Sequence, residues 1–87
     1  MYTVVYTKDA AKHILLLKSA NLDKRAKKLI DVIAENPFQN PPPYEKLCGD
    51  MNGLYSRRIN IQHRLVCQVY TEEKTVKIVS MWSHYEF

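Results

Sequence analysis

Glycine and cysteine are both scarce in this chain, with two of each among 87 residues. So little glycine, beside 46% apolar residues, excludes the composition of a disordered or low-complexity segment. The two cysteines, Cys48 and Cys67, make no C-x2-C metal-ligand spacing. Cys67 sits within Leu65-Val66-Cys67-Gln68-Val69, where a small buried thiol is the default. Long hydrophobic runs are also missing. The longest aliphatic stretch is Ile14-Leu15-Leu16-Leu17, bounded by His13 and Lys18, whereas a membrane span needs roughly 20 apolar residues. The opening Met1-Tyr2-Thr3-Val4-Val5-Tyr6 has neither the basic region nor the small-residue cleavage site of a secretion signal. A cytoplasmic protein without membrane association is expected, and in that compartment a Cys48–Cys67 disulfide is not.

What is present is a modest basic excess. Thirteen Lys and Arg against nine Asp and Glu give a formal charge of +4. That bias favours polyanions without identifying one, and ordinary solubilising charge accounts for it equally well. The length suits one domain, residues 1–87, with one core.

Residues 2–6, rich in Val and Tyr, read as a first strand. Thr7 is placed to cap a helix running from about Lys8 to Ser19, with Asp9 in the first turn where the helix dipole favours an acid. Asn21 breaks that helix and Asp23 lies near the start of a second. There Leu22, Ala26, Leu29, Ile30, Ile33 and Ala34 recur on one face, and Pro37 ends the pattern. Pro37–Asn52 reads as a loop, stiffened toward polyproline II geometry at Pro41-Pro42-Pro43. Asn52-Gly53 is a turn pair. Three strand-like runs come next, Leu54–Ile61, His63–Tyr70 and Thr75–His84, the last two joined by a polar turn at Thr71–Lys74. Alternation sends Leu65, Cys67 and Val69 to the core and Arg64 and Gln68 to the open side. The β-α-α-β-β-β order implies an α+β fold, with two N-terminal helices on one face of a mainly antiparallel sheet.

The face away from the helices is where chemistry would sit. Arg57-Arg58, Arg64 and His84-Tyr85 lie on neighbouring strands, and Glu45 is on the loop leading into them. Alternation lets only one of Arg57 and Arg58 join a shared site. His84 comes within reach of Arg64's face if the sheet is regular. Cleavage of RNA through the ribose 2′-hydroxyl needs a base, cations to stabilise charge on phosphorus, and an acid for the leaving 5′-oxygen. Glu, Arg and His can do all three near neutral pH without a metal. Each residue alone also has an ordinary reading. A loop Glu is commonly just solvated, and an Arg pair on a strand commonly guards an edge or makes salt bridges. Tyr55, Tyr70 and Trp82 serve packing more often than base stacking.

Taken together, Glu45-x-Leu47, Gly53-Leu54-Tyr55-Ser56-Arg57-Arg58-Ile59, His63-Arg64-Leu65-Val66 and His84-Tyr85 resemble the YoeB branch of the RelE superfamily of bacterial toxins. The resemblance spans nearly the whole chain and implies a microbial-ribonuclease-like fold. It also implies a toxin that cleaves messenger RNA in the ribosomal A site, is neutralised by a YefM-type antitoxin, and forms a homodimer as a family-level expectation. It needs no cofactor and no metal. By position, Glu45 matches the general base, Arg64 the phosphate-steadying arginine, His84 the general acid and Tyr85 the terminal tyrosine. Arg58 matches a supporting phosphate-side arginine, and Lys46 is a further candidate for RNA. The helix-two stripe of Lys24, Arg25, Lys27 and Lys28 is a candidate ribosomal RNA contact, beside the plainer reading of a solvated helix face.

Departures from the family pattern are Cys48, where a relative has lysine, the proline run before Glu45, and the Glu86-Phe87 extension past the His-Tyr pair. Two other readings stand beside the ribonuclease. One is a gyrase-poisoning toxin of the same fold, which has no need of an acid–base pair. The other is a catalytically silent module that only binds RNA or a partner.

Overall fold

Thr7 starts the first helix as its composition suggests. Its Oγ1 accepts a hydrogen bond from the Ala10 amide at 3.0 Å, capping α1 (Lys8–Ser19). At the other end Asn21 takes a positive φ of 58°, a conformation Asn tolerates better than most residues. The chain then enters α2 (Asp23–Glu35). Pro37 is buried just beyond, and Asn36 before it is extended, as the residue preceding a proline prefers.

The computed structural model describes residues 1–47 and 53–84, the last two by their backbone. Cys48, Asn52, Tyr85, Glu86 and Phe87 lie outside the described residues. The strands are β1 (Thr3–Tyr6), β2 (Glu45–Lys46), β3 (Leu54–Arg58), β4 (His63–Tyr70) and β5 (Thr75–His84). They form one five-stranded sheet in the order β1-β5-β4-β3-β2. β1 runs parallel to β5 and every other pair is antiparallel. The helices cover one face. Between helices and sheet, Leu17, Ala26, Leu29 and Ile33 pack with Leu65, Cys67, Val69, Val76, Ile78 and Met81. The phase expected of β4 holds, with Leu65, Cys67 and Val69 buried and Arg64, Val66 and Gln68 half-exposed.

Several expectations are corrected. The first of the three C-terminal strands stops at Arg58, not Ile61. The Asn60 Oδ1 accepts from the amides of Gln62 and His63 at 2.9 and 2.7 Å, and this local competition ends the strand. The stretch 37–52 is not all loop, because Glu45–Lys46 pairs with Ser56 and Tyr55 as an extra edge strand. The order is therefore β-α-α-β-β-β-β. The proline run is not polyproline II, since the bonds before Pro41 and Pro42 are cis. Finally, the sheet is not regular toward the His84 end of β5. Cys67 pairs with Ile78 but Val66 with Ser80, leaving Val79 extra, and Arg64 pairs with Ser83, adding a second extra residue.

The first irregularity is held from α1 and its cap. Thr7 Oγ1 donates to the Val79 carbonyl at 2.8 Å, and the Met81 amide donates to His13 Nδ1 at 3.1 Å. Such bulges re-aim the strand that carries them.

Candidate active site

The open face is assembled from short-range register. Glu45, exposed on β2, pairs with Ser56 on β3. Two residues on, Arg58 is exposed on the same side of β3 and pairs with Arg64 of β4, which pairs in turn with Ser83 of β5. Glu45, Arg58 and Arg64 thus share one face across three adjacent strands, spaced by about 4.8 Å. His84 ends β5, and its backbone pairs with His63, the chain neighbour of Arg64.

Glu45 and Arg58 line a recess of about 60 Å³ together with Pro43, Tyr44 and Ser56. Ser56, only 2% exposed, places in that recess's lining a buried hydroxyl without a hydrogen-bond partner among the described residues. A small hollow bordered by a carboxylate, a guanidinium and a hydroxyl suits an anionic, oxygen-rich group.

Arg57 takes the opposite phase. It is 2% exposed, and its guanidinium donates to three carbonyls: Pro42 at 2.5 Å, Gln39 at 2.9 Å and Pro37 at 3.1 Å. It also lies 5.0 Å from the centre of the Tyr44 ring. Burial lowers its pKa below the ordinary arginine range. Phe38, Tyr44 and Tyr55 close over one another with ring centres 5.3 to 6.2 Å apart.

The other expected residues divide. Lys46 pairs with Tyr55 and so takes the phase opposite to Glu45. Lys27 and Lys28 do not join the open face. They are exposed on α2, behind the sheet, and border a larger groove of about 490 Å³ with Tyr6, Ile14 and Met81. Lys27 is paired with Asp31 at 2.6 Å, which raises its pKa. Tyr85 lies outside the described residues. Trp82 packs on His63 with ring centres 4.3 Å apart, and the Tyr70 hydroxyl donates to Gln68 Oε1 at 2.7 Å. Among the described residues no three His, Cys, Asp or Glu side chains gather as a metal-binding set. No described helix is long and apolar enough to cross a membrane.

Sequence reasoning missed Ser56, Tyr44 and the work of Arg57. The available signal was phase: Arg57 alternates with the open-face Ser56 and Arg58, and a buried arginine needs acceptors, which the nearby proline-rich segment supplies in excess.

Fold and site together define a small α+β protein that backs its sheet with two helices and displays a carboxylate and two arginines on the other face. Residues 6–85 match the family described as the YoeB-like toxin of bacterial type II toxin-antitoxin systems, and the chain belongs to that family. Toxin YoeB of Streptomyces coelicolor is 44% identical over 62 residues, covering 71% of each chain. Among solved structures, the YoeB/ParE toxin from Agrobacterium tumefaciens has 27% identity and a TM-score of 0.84, covering 95% of this chain and 99% of that one. The Staphylococcus aureus toxin is solved in a YoeB-YefM complex (30% identity, TM-score 0.79, 98% and 99% covered) and as a YoeB dimer (29%, 0.81, 97% and 98%).

Proposed function

We propose that this toxin is a ribosome-dependent endoribonuclease that cleaves messenger RNA in the A site and is neutralised by a YefM-type antitoxin. The observation that carries the reading is the recess lined by both Glu45 and Arg58, with Arg64 the register partner of Arg58 on the next strand. Glu45 removes the proton from a ribose 2′-hydroxyl, and that oxygen attacks the adjacent phosphorus. Arg64 and Arg58 stabilise the added negative charge. His84 gives a proton to the 5′-oxygen as its bond to phosphorus breaks, leaving a 2′,3′-cyclic phosphate and a 5′-hydroxyl. The reaction draws on no metal ion or cofactor. Tyr85, next to the acid in sequence, serves the same step, while Lys46, Lys27 and Lys28 contact RNA away from the recess.

The complex and dimer of the Staphylococcus aureus relative support a YefM-type partner and a homodimer for this chain. A target on the ribosome puts its action in the bacterial cytoplasm. Ribosomes programmed with a defined A-site codon test the activity. Cleavage with a 5′-hydroxyl on the downstream fragment is expected, slowed roughly 10²–10⁴-fold in Glu45→Gln. Intact message with the wild-type toxin, or full activity in Glu45→Gln, would overturn it.

A further inference from the structure

All four prolines of the chain fall at residues 37 and 41–43, so half of the segment 37–44 has no backbone N–H to donate. The two non-proline amides at Phe38 and Gln39 are spent on Asn36. Carbonyls therefore outnumber local donors, and the segment cannot organise itself through its own backbone. It leads directly into the weakest element of the sheet, a two-residue edge strand consisting of Glu45 and Lys46. A strand that short does little to fix its own position.

The missing donors come from Arg57. One guanidinium reaches the carbonyls of Pro37, Gln39 and Pro42, which span the start, middle and end of the segment. Its face lies over the ring of Tyr44, the residue before Glu45. A planar fork with five N–H groups can serve several acceptors at once, which a lysine ammonium on a single nitrogen cannot do in the same geometry. Arg57 also stands between Ser56, the register partner of Glu45, and Arg58, its neighbour in the recess.

We infer that Arg57 is a positioning residue for catalysis: buried behind the sheet, it fixes the proline segment and Tyr44, and through them holds Glu45 at the recess. This rests on the proposed role of Glu45 as general base. Arg57 itself touches no substrate. The Arg57-Arg58 pair is thereby divided between faces, one arginine presented to the anion and the other spent on the backbone that carries the base.

The test uses the full-length toxin with Arg57→Lys and, because that variant can fail to fold, Tyr44→Leu on the half-exposed segment. Hydrogen exchange at the Leu47 amide, which donates to the Leu54 carbonyl at 3.0 Å, reads the docking of β2 without reference to activity. It should quicken at least about tenfold in both variants while the β4 amides keep their protection. On programmed ribosomes the folded variants should lose kcat, about 10²-fold for Arg57→Lys, with KM within about threefold of wild type. In a Glu45→Gln background the same substitutions should cost almost nothing further, since there is no base left to misplace. Unchanged Leu47 exchange in both variants would overturn the inference, as would an equal loss of rate in both backgrounds, the mark of a merely structural role. Absence of cleavage by the wild type would instead remove the ribonuclease reading, and the exchange measurement would still judge the anchor.

Discussion

His84 pairs with His63 because β5 carries two residues more than β4 between that pair and Tyr70–Thr75. Without them the register would run His84 past the end of β4, opposite Ile61. The bulges draw the end of β5 back to the arginine-bearing part of the sheet. His84→Gln should therefore leave the fold and antitoxin binding nearly intact, yet slow single-turnover cleavage roughly 10²–10⁴-fold. Activity equal to wild type would remove His84 from the mechanism.

Removing the bulge should have a similar but indirect consequence. Deleting Val79 leaves Val66 opposite Ser80 but removes the bulge and the carbonyl that Thr7 holds, so the end of β5 loses the kink that aims it. Cleavage should be lost along with part of the stability, and circular dichroism melting separates the two effects from a global failure to fold.

Arg58 and Arg64 face one another across β3 and β4, and they should act on the same phosphate. Arg64→Ala and Arg58→Ala are each expected to reduce the cleavage rate, on the order of 10–10³-fold, with the double variant less than multiplicative. A fully multiplicative loss would mean that the two arginines serve separate groups. Arg57 has a different fate, because it is stapled to three carbonyls on the far side of the strand.

Thr7 is doubly engaged, capping α1 through Ala10 and donating to Val79. Thr7→Val keeps the shape and loses both bonds, so it should destabilise the protein by about 1–2 kcal/mol. Urea unfolding gives the value, and a change below a few tenths would show that neither bond contributes.

Cys67 is 1% exposed, and burial pushes its thiol from the ordinary 9.0 up to about 11, against a smaller lowering by Arg57. The unfolded thiol loses its proton near pH 9 while the folded one keeps it. The folded state then binds more protons, and stability falls as pH rises between about 9 and 11. The slope approaches about 1.4 kcal/mol per pH unit from this group. Unfolding at pH 8, 9.5 and 10.5, wild type against Cys67→Ala, should show the wild type's excess alkaline loss. A thiol reagent should also modify Cys67 only at the rate of unfolding, and reaction at the speed of a free peptide would contradict the burial.

The sequence by itself determined the elements whose causes are local. Thr7, Asn21 and Pro37 delimit the helices through capping, left-handed backbone and a missing N–H. The two-residue period placed Cys67 inside, Arg64 outside and the Arg57-Arg58 pair on opposite faces. The motifs gave the family, and with it the proposed roles of Glu45, Arg64 and His84. Only the tertiary structure decided what depends on contacts between distant segments. Glu45 lies on an edge strand because β3 offers it a partner, and no propensity within Glu45-Lys46 announces that. The β5 bulges exist because Thr7 and His13, some seventy residues earlier, reach the backbone at Val79 and Met81. Arg57 is buried because a segment short of its own donors folds over it, and the Lys27-Lys28 stripe lies behind the sheet because α2 packs there. Periodicity reports which way a side chain points; which groups it then meets is set by register, bulges and long-range hydrogen bonds.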